Sequence, residues 1–227
     1  MHVVLSVGGS SVIPDLKANL DFLKSLARII KKSKNDFGII TGGGSVARVY
    51  AEAARALGAS EYEADIIAIM STKQNAHLVI AGLRAEGVDV YKKAVADFEE
   101  AKGLDSKAVV MGGTIPGITT DTDSVLLAES LGATRLVNIS NVDAIYDSDP
   151  NKNPEAKRYT KMTYDELITL ANVSDKRKAG THFIFDLLAC KLISRSNIET
   201  HFVAAKNLDD VENAIEGKKH SGTVVRG

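Results

Sequence analysis

Cysteine is almost missing from this 227-residue chain: Cys190 stands alone. A single cysteine excludes an intrachain disulfide and a cysteine-based zinc site. Histidine is also sparse, and His2, His77, His182, His201 and His220 show no spacing of the H-E-x-x-H kind. No metal-ligating set of side chains is therefore expected. A charge of one sign is missing too: Lys and Arg number 28 against 29 Asp and Glu, a formal net charge of −1. Nothing in that balance favours nucleic acid or an anionic membrane as a partner, so affinity for phosphates must come from local geometry. There is no long uncharged apolar run and no N-terminal signal pattern, so a cytoplasmic protein is expected. Internal repeats, low-complexity linkers and the phosphate loop G-x-x-x-x-G-K-[ST] are absent as well.

What remains is an ordinary globular composition, 44% hydrophobic and 25% charged, long enough for one large domain or two small lobes. Any lobe boundary is expected near residue 130. Apolar strands alternate with amphipathic helices along the chain. Strands are expected at Val3 to Val7, Phe37 to Thr41, Val88 to Tyr91, 108–111, Arg135 to Ser140, Thr200 to Ala204 and Thr223 to Arg226. Helical spacing runs from Ala18 to Lys32, Ser45 to Leu57, Glu61 to Glu86, about 120–131, Phe185 to Ser196 and Leu208 to Glu216. Thr163-Tyr164-Asp165-Glu166 reads as a capping box opening a further helix toward Asn172. A second glycine-bearing loop surrounds Gly180. This alternation predicts an α/β fold, a mainly parallel sheet covered by helices on both faces. Cys190, among Leu187, Leu188, Ala189 and Leu192, is expected to be a buried structural thiol. The apolar face of the 61–86 helix suits the monomer core first and a subunit contact second.

Three strands end in glycine-rich turns: Gly8-Gly9-Ser10, Gly42-Gly43-Gly44 and Gly112-Gly113-Thr114. On one parallel sheet all three would face the same carboxyl edge and form a basket of backbone N–H groups suited to several phosphates. The stretch Met111 to Asp123 adds four threonine hydroxyls to its glycines, and Thr120 or Asp121 is placed to cap the helix that follows. Gly42-Gly43-Gly44-Ser45-Val46-Ala47 fits the looser dinucleotide pattern G-x-G-x-x-A. The acidic residues about twenty positions on, Glu61, Glu63 and Asp65, open a helix rather than end a strand, which disfavours a nicotinamide enzyme.

These motifs, with Arg48, Thr114 to Asp121, Asn141-Val142-Asp143-Ala144-Ile145-Tyr146, Asp149-Pro150, Asp186 to Lys191 and Ser221-Gly222-Thr223, resemble the ordered motifs of the amino acid kinase family. The resemblance spans nearly the whole chain and is nearest the archaeal-type uridylate (UMP) kinase branch. It implies a three-layer αβα sandwich forming a single domain over 1–227. The phosphoryl acceptor would bind in about 1–130 and ATP in about 131–227. By the same resemblance, Gly43, Asp65, Thr114, Ile115, Pro116, Gly117, Ile118, Thr119 and Thr120 would hold UMP. Gly9, Ser10, Gly44, Arg48, Ser140, Asn141, Tyr146 and Asp149 would hold ATP, and Mg²⁺ would be carried mainly by the nucleotide phosphates. Arg48, Asp121, Asp143, Lys161 and Asp186 would serve the transfer itself, and a homohexamer is implied. Two positions depart from the broad family. Ser6 stands where many members carry Lys, a gap shared with the archaeal branch, and Ala144 stands where Gly is usual. If position 144 needed positive φ, Ala there would be strained. The implied reaction moves the ATP γ-phosphoryl group to UMP in pyrimidine nucleotide biosynthesis. A sister kinase acting on a carboxylate, carbamate or isoprenoid phosphate stays open beside it, as does a nucleotide-binding homologue without turnover.

Overall fold

The computed structural model describes residues 1–150, 153–175 and 185–227; the loop expected around Gly180 lies outside the described residues. The strands are β1 (His2–Val7), β2 (Asp36–Thr41), β3 (Ala108–Met111), β4 (Arg135–Ser140), β5 (Ile145–Tyr146), β6 (Arg158–Tyr159), β7 (Lys161–Met162), β8 (Glu199–Ala204) and β9 (Thr223–Val225). The helices are α1 (Gly9–Val12), α2 (Leu20–Lys32), α3 (Gly44–Ala56), α4 (Glu61–Ala85), α5 (Phe98–Lys102), α6 (Thr120–Leu131), α7 (Tyr164–Asp175), α8 (Leu187–Ser196) and α9 (Leu208–Ile215).

Among the described residues, seven strands form one sheet in the order β3-β2-β1-β4-β8-β9-β7, and β5 pairs with β6 in a separate two-stranded hairpin. Pairing from β3 through β8 is parallel; only the β8–β9 contact within the large sheet is antiparallel. The chain steps outward from β1 to β2 and β3, then returns to β4 on the other side of β1. The strand order therefore reverses between β1 and β4, the place where an open α/β sheet leaves a crevice at its carboxyl edge.

Strand periodicity explains the three layers. Val3, Leu5 and Val7 of β1 join Phe37, Ile39, Val110, Val137 and Val203 in a cluster closed by Leu26 and Ile30 of α2, Ile80 and Leu83 of α4 and Ile215 of α9. The alternate residue Val4 joins Ile40, Met111 and Leu136 under Leu127 of α6, Leu167 of α7 and Ile193 of α8. A strand buried on both faces reads as a continuous apolar run, which is why these segments lack polar alternation. Each large aliphatic side chain so buried contributes about 1.5–3 kcal/mol. Gly38 lets α6 approach β2 closely, since a Cβ there would lie 2.7 Å from Leu131 Cδ1. Cys190 is fully buried in the second cluster, with Sγ 3.6 Å from the Phe185 carbonyl oxygen.

Helix starts follow their capping residues. Ser60 and Glu63 form a reciprocal capping box on α4, and Thr163 and Glu166 do the same for α7. For α6 the cap is Thr119, whose Oγ1 accepts from the N–H groups of Asp121 at 3.2 Å and Thr122 at 3.3 Å. This corrects the expectation of Thr120 or Asp121: those residues already have helical backbone, while Thr119 is extended. The strand expected at Val88 to Tyr91 is reduced to one isolated bridge, Val90 with Ala108, and a second follows beyond it, Val95 with Met111. Between them the exposed Lys92 and Lys93 carry the chain away from β3. The polar stretch after Asn141 contains the β5–β6 hairpin, too short to leave a periodic signal. Ala144 is not among the described residues with positive φ, so the strain considered for it does not arise.

Candidate active site

At the carboxyl edge, above the β1–β4 reversal, lies a cavity of about 840 Å³. Its floor is set by strand register. Ser6 pairs with Asn138 and Asn138 with Phe202, so these three side chains form a row on one face of the sheet, and all three line the cavity. Gly8, Gly9, Gly42, Gly43 and Gly44 form one wall. The two glycine turns meet backbone to backbone: a Cβ on Gly9 would lie 2.2 Å from the Gly44 nitrogen, and Gly44 has φ of 64°. Side chains at either position would push the turns apart, so the amides stay bare. The thirteen-residue helix α3 starts at Gly44 and lines the cavity with Ser45 and Arg48, which favours an anion at that end. Ser45 Oγ is buried and without a hydrogen-bond partner among the described residues. Arg48, one turn on, is exposed and makes no ion pair among them.

The third glycine turn is held by α4. Thr72 Oγ1 accepts from the Gly113 N–H at 2.7 Å and donates to the Ile69 carbonyl at 2.6 Å, while Asn75 Nδ2 donates to the Gly42 carbonyl at 2.8 Å. Thr72 and Asn75 were not singled out from the sequence. Their signal was polar residues, with Ser71, among the buried positions of α4. Asp65, near the start of α4, accepts from the Gly117 N–H at 2.9 Å, which ties it to the Thr114–Thr120 loop.

Three carboxylates gather at the start of α6. Asp121 lines the cavity and accepts from Ser6 Oγ at 3.2 Å. Asp186 caps α8 through the Ala189 N–H at 3.0 Å and accepts from the hydroxyls of Thr119 and Thr122. Asp123, also not anticipated, is almost fully buried and accepts from Thr114 Oγ1 at 2.6 Å and Thr114 N at 3.2 Å. Burial and the neighbouring Asp186 charge push Asp121 up to about 7, with Ser6 opposing. Burial likewise raises Asp123 to about 6 against its Thr114 bonds. With Ser6 where a Lys is common, no cation from β1 relieves this crowding.

The model of the amino acid kinase family matches residues 1–204. The chain belongs to the amino acid kinase family. It is 42% identical to the uridylate kinase of Thermococcus onnurineus (strain NA1) over 99% of both chains, and 40% identical to that of Methanocaldococcus jannaschii over the full length of both. The crystal structure of uridylate kinase from Archaeoglobus fulgidus superimposes with a TM-score of 0.85 at 36% identity, covering 99% of this chain and 100% of that one.

In this amino acid kinase the remaining sequence-derived residues fall into two groups. Gly9, Ser10, Gly43, Gly44, Arg48, Thr120, Asp121, Ser140 and Asn141 line the cavity together, joined by Asp15, Phe185 and Phe202, which sequence reasoning did not single out. Asp65, Thr114 and Gly117 are not in the cavity lining; the bonds above tie them to α4 and α6, and Ile115 is exposed. Tyr146 stands on the β5–β6 hairpin, with its hydroxyl donating to Asp143 Oδ1 at 2.9 Å. Asp143 also pairs with Arg158 at 3.1 Å. Asp149 accepts from the Asn153 N–H through its carbonyl at 2.9 Å. Lys161 is exposed on the edge strand β7, paired with Val224, and is not part of the cavity wall.

Proposed function

We propose that this chain is a UMP kinase, transferring the γ-phosphoryl group of ATP to UMP to give UDP and ADP. The observation that carries the reading is the meeting of Asp65 with the Thr114–Thr120 loop, beside a basket of glycine amides at the carboxyl edge. A carboxylate and a threonine-rich loop suit ribose and base. The bare amides and the α3 start suit phosphates. Relatives with full-length coverage that carry the name uridylate kinase support the same substrate.

In this reading the acceptor half is about 1–130 and the ATP half about 131–227. The acceptor phosphate is ionised at neutral pH, so no strong base is required. Catalysis rests on alignment and on neutralising charge in a loose transition state. Gly43, Asp65 and residues 114–120 hold UMP. Gly9, Ser10, Gly44, Ser140, Asn141, Tyr146 and Asp149 hold ATP, and Arg48 stabilises the transferring group. Mg²⁺, when bound with the nucleotide, supplies further positive charge. Asp121 is the cavity carboxylate whose chemistry fits an outer contact to it, with Asp186 behind. Asp143 and Lys161 would act from the ATP half. Val49 and Tyr50 of α3 and Tyr62 and Met70 of α4 expose large apolar side chains, which supports self-association, with a homohexamer as the assembly expected. A cytoplasmic role in pyrimidine nucleotide biosynthesis goes with this activity.

The test is a coupled ADP-release assay with UMP, CMP, AMP and small carboxylates as acceptors, run on the native chain and on Asp65→Ala. UMP should be preferred, and Asp65→Ala should raise the UMP KM about 10-fold or more with little change for ATP, as losing a hydrogen bond to a charged group does. Equal rates on all nucleotides, or turnover only with a carboxylate, would overturn the reading.

A further inference from the structure

The segment His220 to Thr223, beyond the family-matched span, is threaded against the β5–β6 hairpin. Ser221 is anchored first: its N–H donates to Asp210 Oδ1 at 3.0 Å and its hydroxyl to Asp210 Oδ2. Its carbonyl then accepts from Arg158 Nη2. The same guanidinium pairs with Asp143 Oδ2 at 3.1 Å, and Asp143 Oδ1 holds the Tyr146 hydroxyl. Tyr146 and Arg158 are also cross-strand partners in the hairpin. Two neighbours reinforce the clamp. Thr223 Oγ1 accepts from the Ile145 N–H at 2.8 Å and donates to the Tyr159 carbonyl. Gly222 lies so close to β8 that a Cβ would sit 2.0 Å from the Phe202 carbonyl oxygen and 3.1 Å from that of Asp143. Val142, Ala144 and Phe202 line the cavity, so the clamp holds the wall that adjoins the hairpin carrying Tyr146.

Two features mark Arg158 as the keystone. Through Nη2 it bridges a fixed main-chain carbonyl and the carboxylate that fixes Tyr146. Its Nε is buried and without a hydrogen-bond partner among the described residues, a cost on a cation already bonded through Nη2.

We propose that Arg158 is a positioning residue for the donor nucleotide, setting Asp143 and Tyr146 against the Ser221 carbonyl. This rests on the assignment of ATP to the 131–227 half. Arg158→Met keeps an unbranched apolar stem and removes the bridge; Arg158→Lys restores the positive charge. ADP binding is measured by calorimetry, and KM values for ATP and UMP by the coupled assay. Arg158→Met should weaken ADP binding and raise the ATP KM about tenfold, with the UMP KM within about twofold, and Arg158→Lys should recover part of the loss. Gly222→Ala, which displaces the same wall without touching a charge, should shift the ratio of the two KM values in the same direction. Equal rises in both KM values, or a lowered Tm with ADP affinity intact, would make Arg158 merely structural and overturn the proposal. A native chain that binds ADP but does not phosphorylate UMP would overturn the acceptor assignment while the ADP affinities still decide this one. A native chain that does not bind ADP would overturn both.

Discussion

Each end of the parallel sheet carries a cavity of similar size, about 840 Å³ at the carboxyl edge and about 820 Å³ at the amino edge, and their linings differ in kind. At the amino edge Lys107, Ser130 and Glu129 find partners within the chain. Lys107 Nζ donates to the carbonyls of Ser33 and Asn35, Ser130 donates to the Phe98 carbonyl, and Glu129 is held by Arg195 and Ser196. Nearby, Glu199 is paired with Arg135 and His201. At the carboxyl edge Ser45 lacks a partner, Arg48 makes no ion pair among the described residues, and Asp121 and Asp123 are pushed toward neutrality. Volume does not separate the two; a buried polar group without a partner does, and it lies at the carboxyl edge. A fold that leaves charges short of partners at one edge sacrifices stability there, which is how a site for an anionic ligand with its metal differs from a structural recess.

The sharpest test of this contrast is Arg48→Ala. Removing a donor that acts mainly in the transition state costs about 10²–10³ in rate, so kcat should fall by that much with the UMP KM little changed. A kcat that holds while only the UMP KM rises would make Arg48 an acceptor-binding residue.

Titration offers a second test, because the two edges shift in opposite senses. Asp121, ordinarily near 3.8, sits at about 7 in the folded chain. The native state thus binds more protons than the unfolded one between those values, and this contribution to stability is lost as pH rises through 7. His201, ordinarily 6.5, is lowered to about 4, chiefly by burial against the pull of Glu199. Its contribution is complete above 6.5 and is lost as pH falls toward 4. Thermal melts from pH 4 to pH 8 should therefore show Asp121→Asn gaining on the native chain as pH rises. His201→Gln should flatten the acid limb instead. A gain for Asp121→Asn that is the same at every pH would refute the raised carboxyl.

The smallest effect belongs to the amino edge. Ser130→Ala or Asp105→Asn should leave kcat and both KM values within about twofold. A tenfold change in any of them would show that the recess is not merely structural.

The glycine turns after β1, β2 and β3, the parallel αβα fold and the position of Asp65 were legible in the chain because each depends on local pattern: apolar runs, glycine at close turns, capping signals. Thr72, Asn75 and Asp123 were not, since their partners Gly113, Gly42 and Thr114 are reached only after α4 and α6 pack on the sheet. The Val88 to Tyr91 run shows the same limit from the other side: its apolar residues suit a strand, but only the path past Lys92 and Lys93 decides that it makes a single bridge. Ser6 is the clearest case. Sequence placed it on β1. Only register, setting Ser6 beside Asn138 and under Asp121, made it the floor of the cavity. Local pattern determines which segments become strands, helices and turns, because those preferences act over a few residues. Tertiary packing alone decides which distant polar groups share a site and which remain unpaired, because burial and distance, the quantities that shift their charges, do not exist until the layers close.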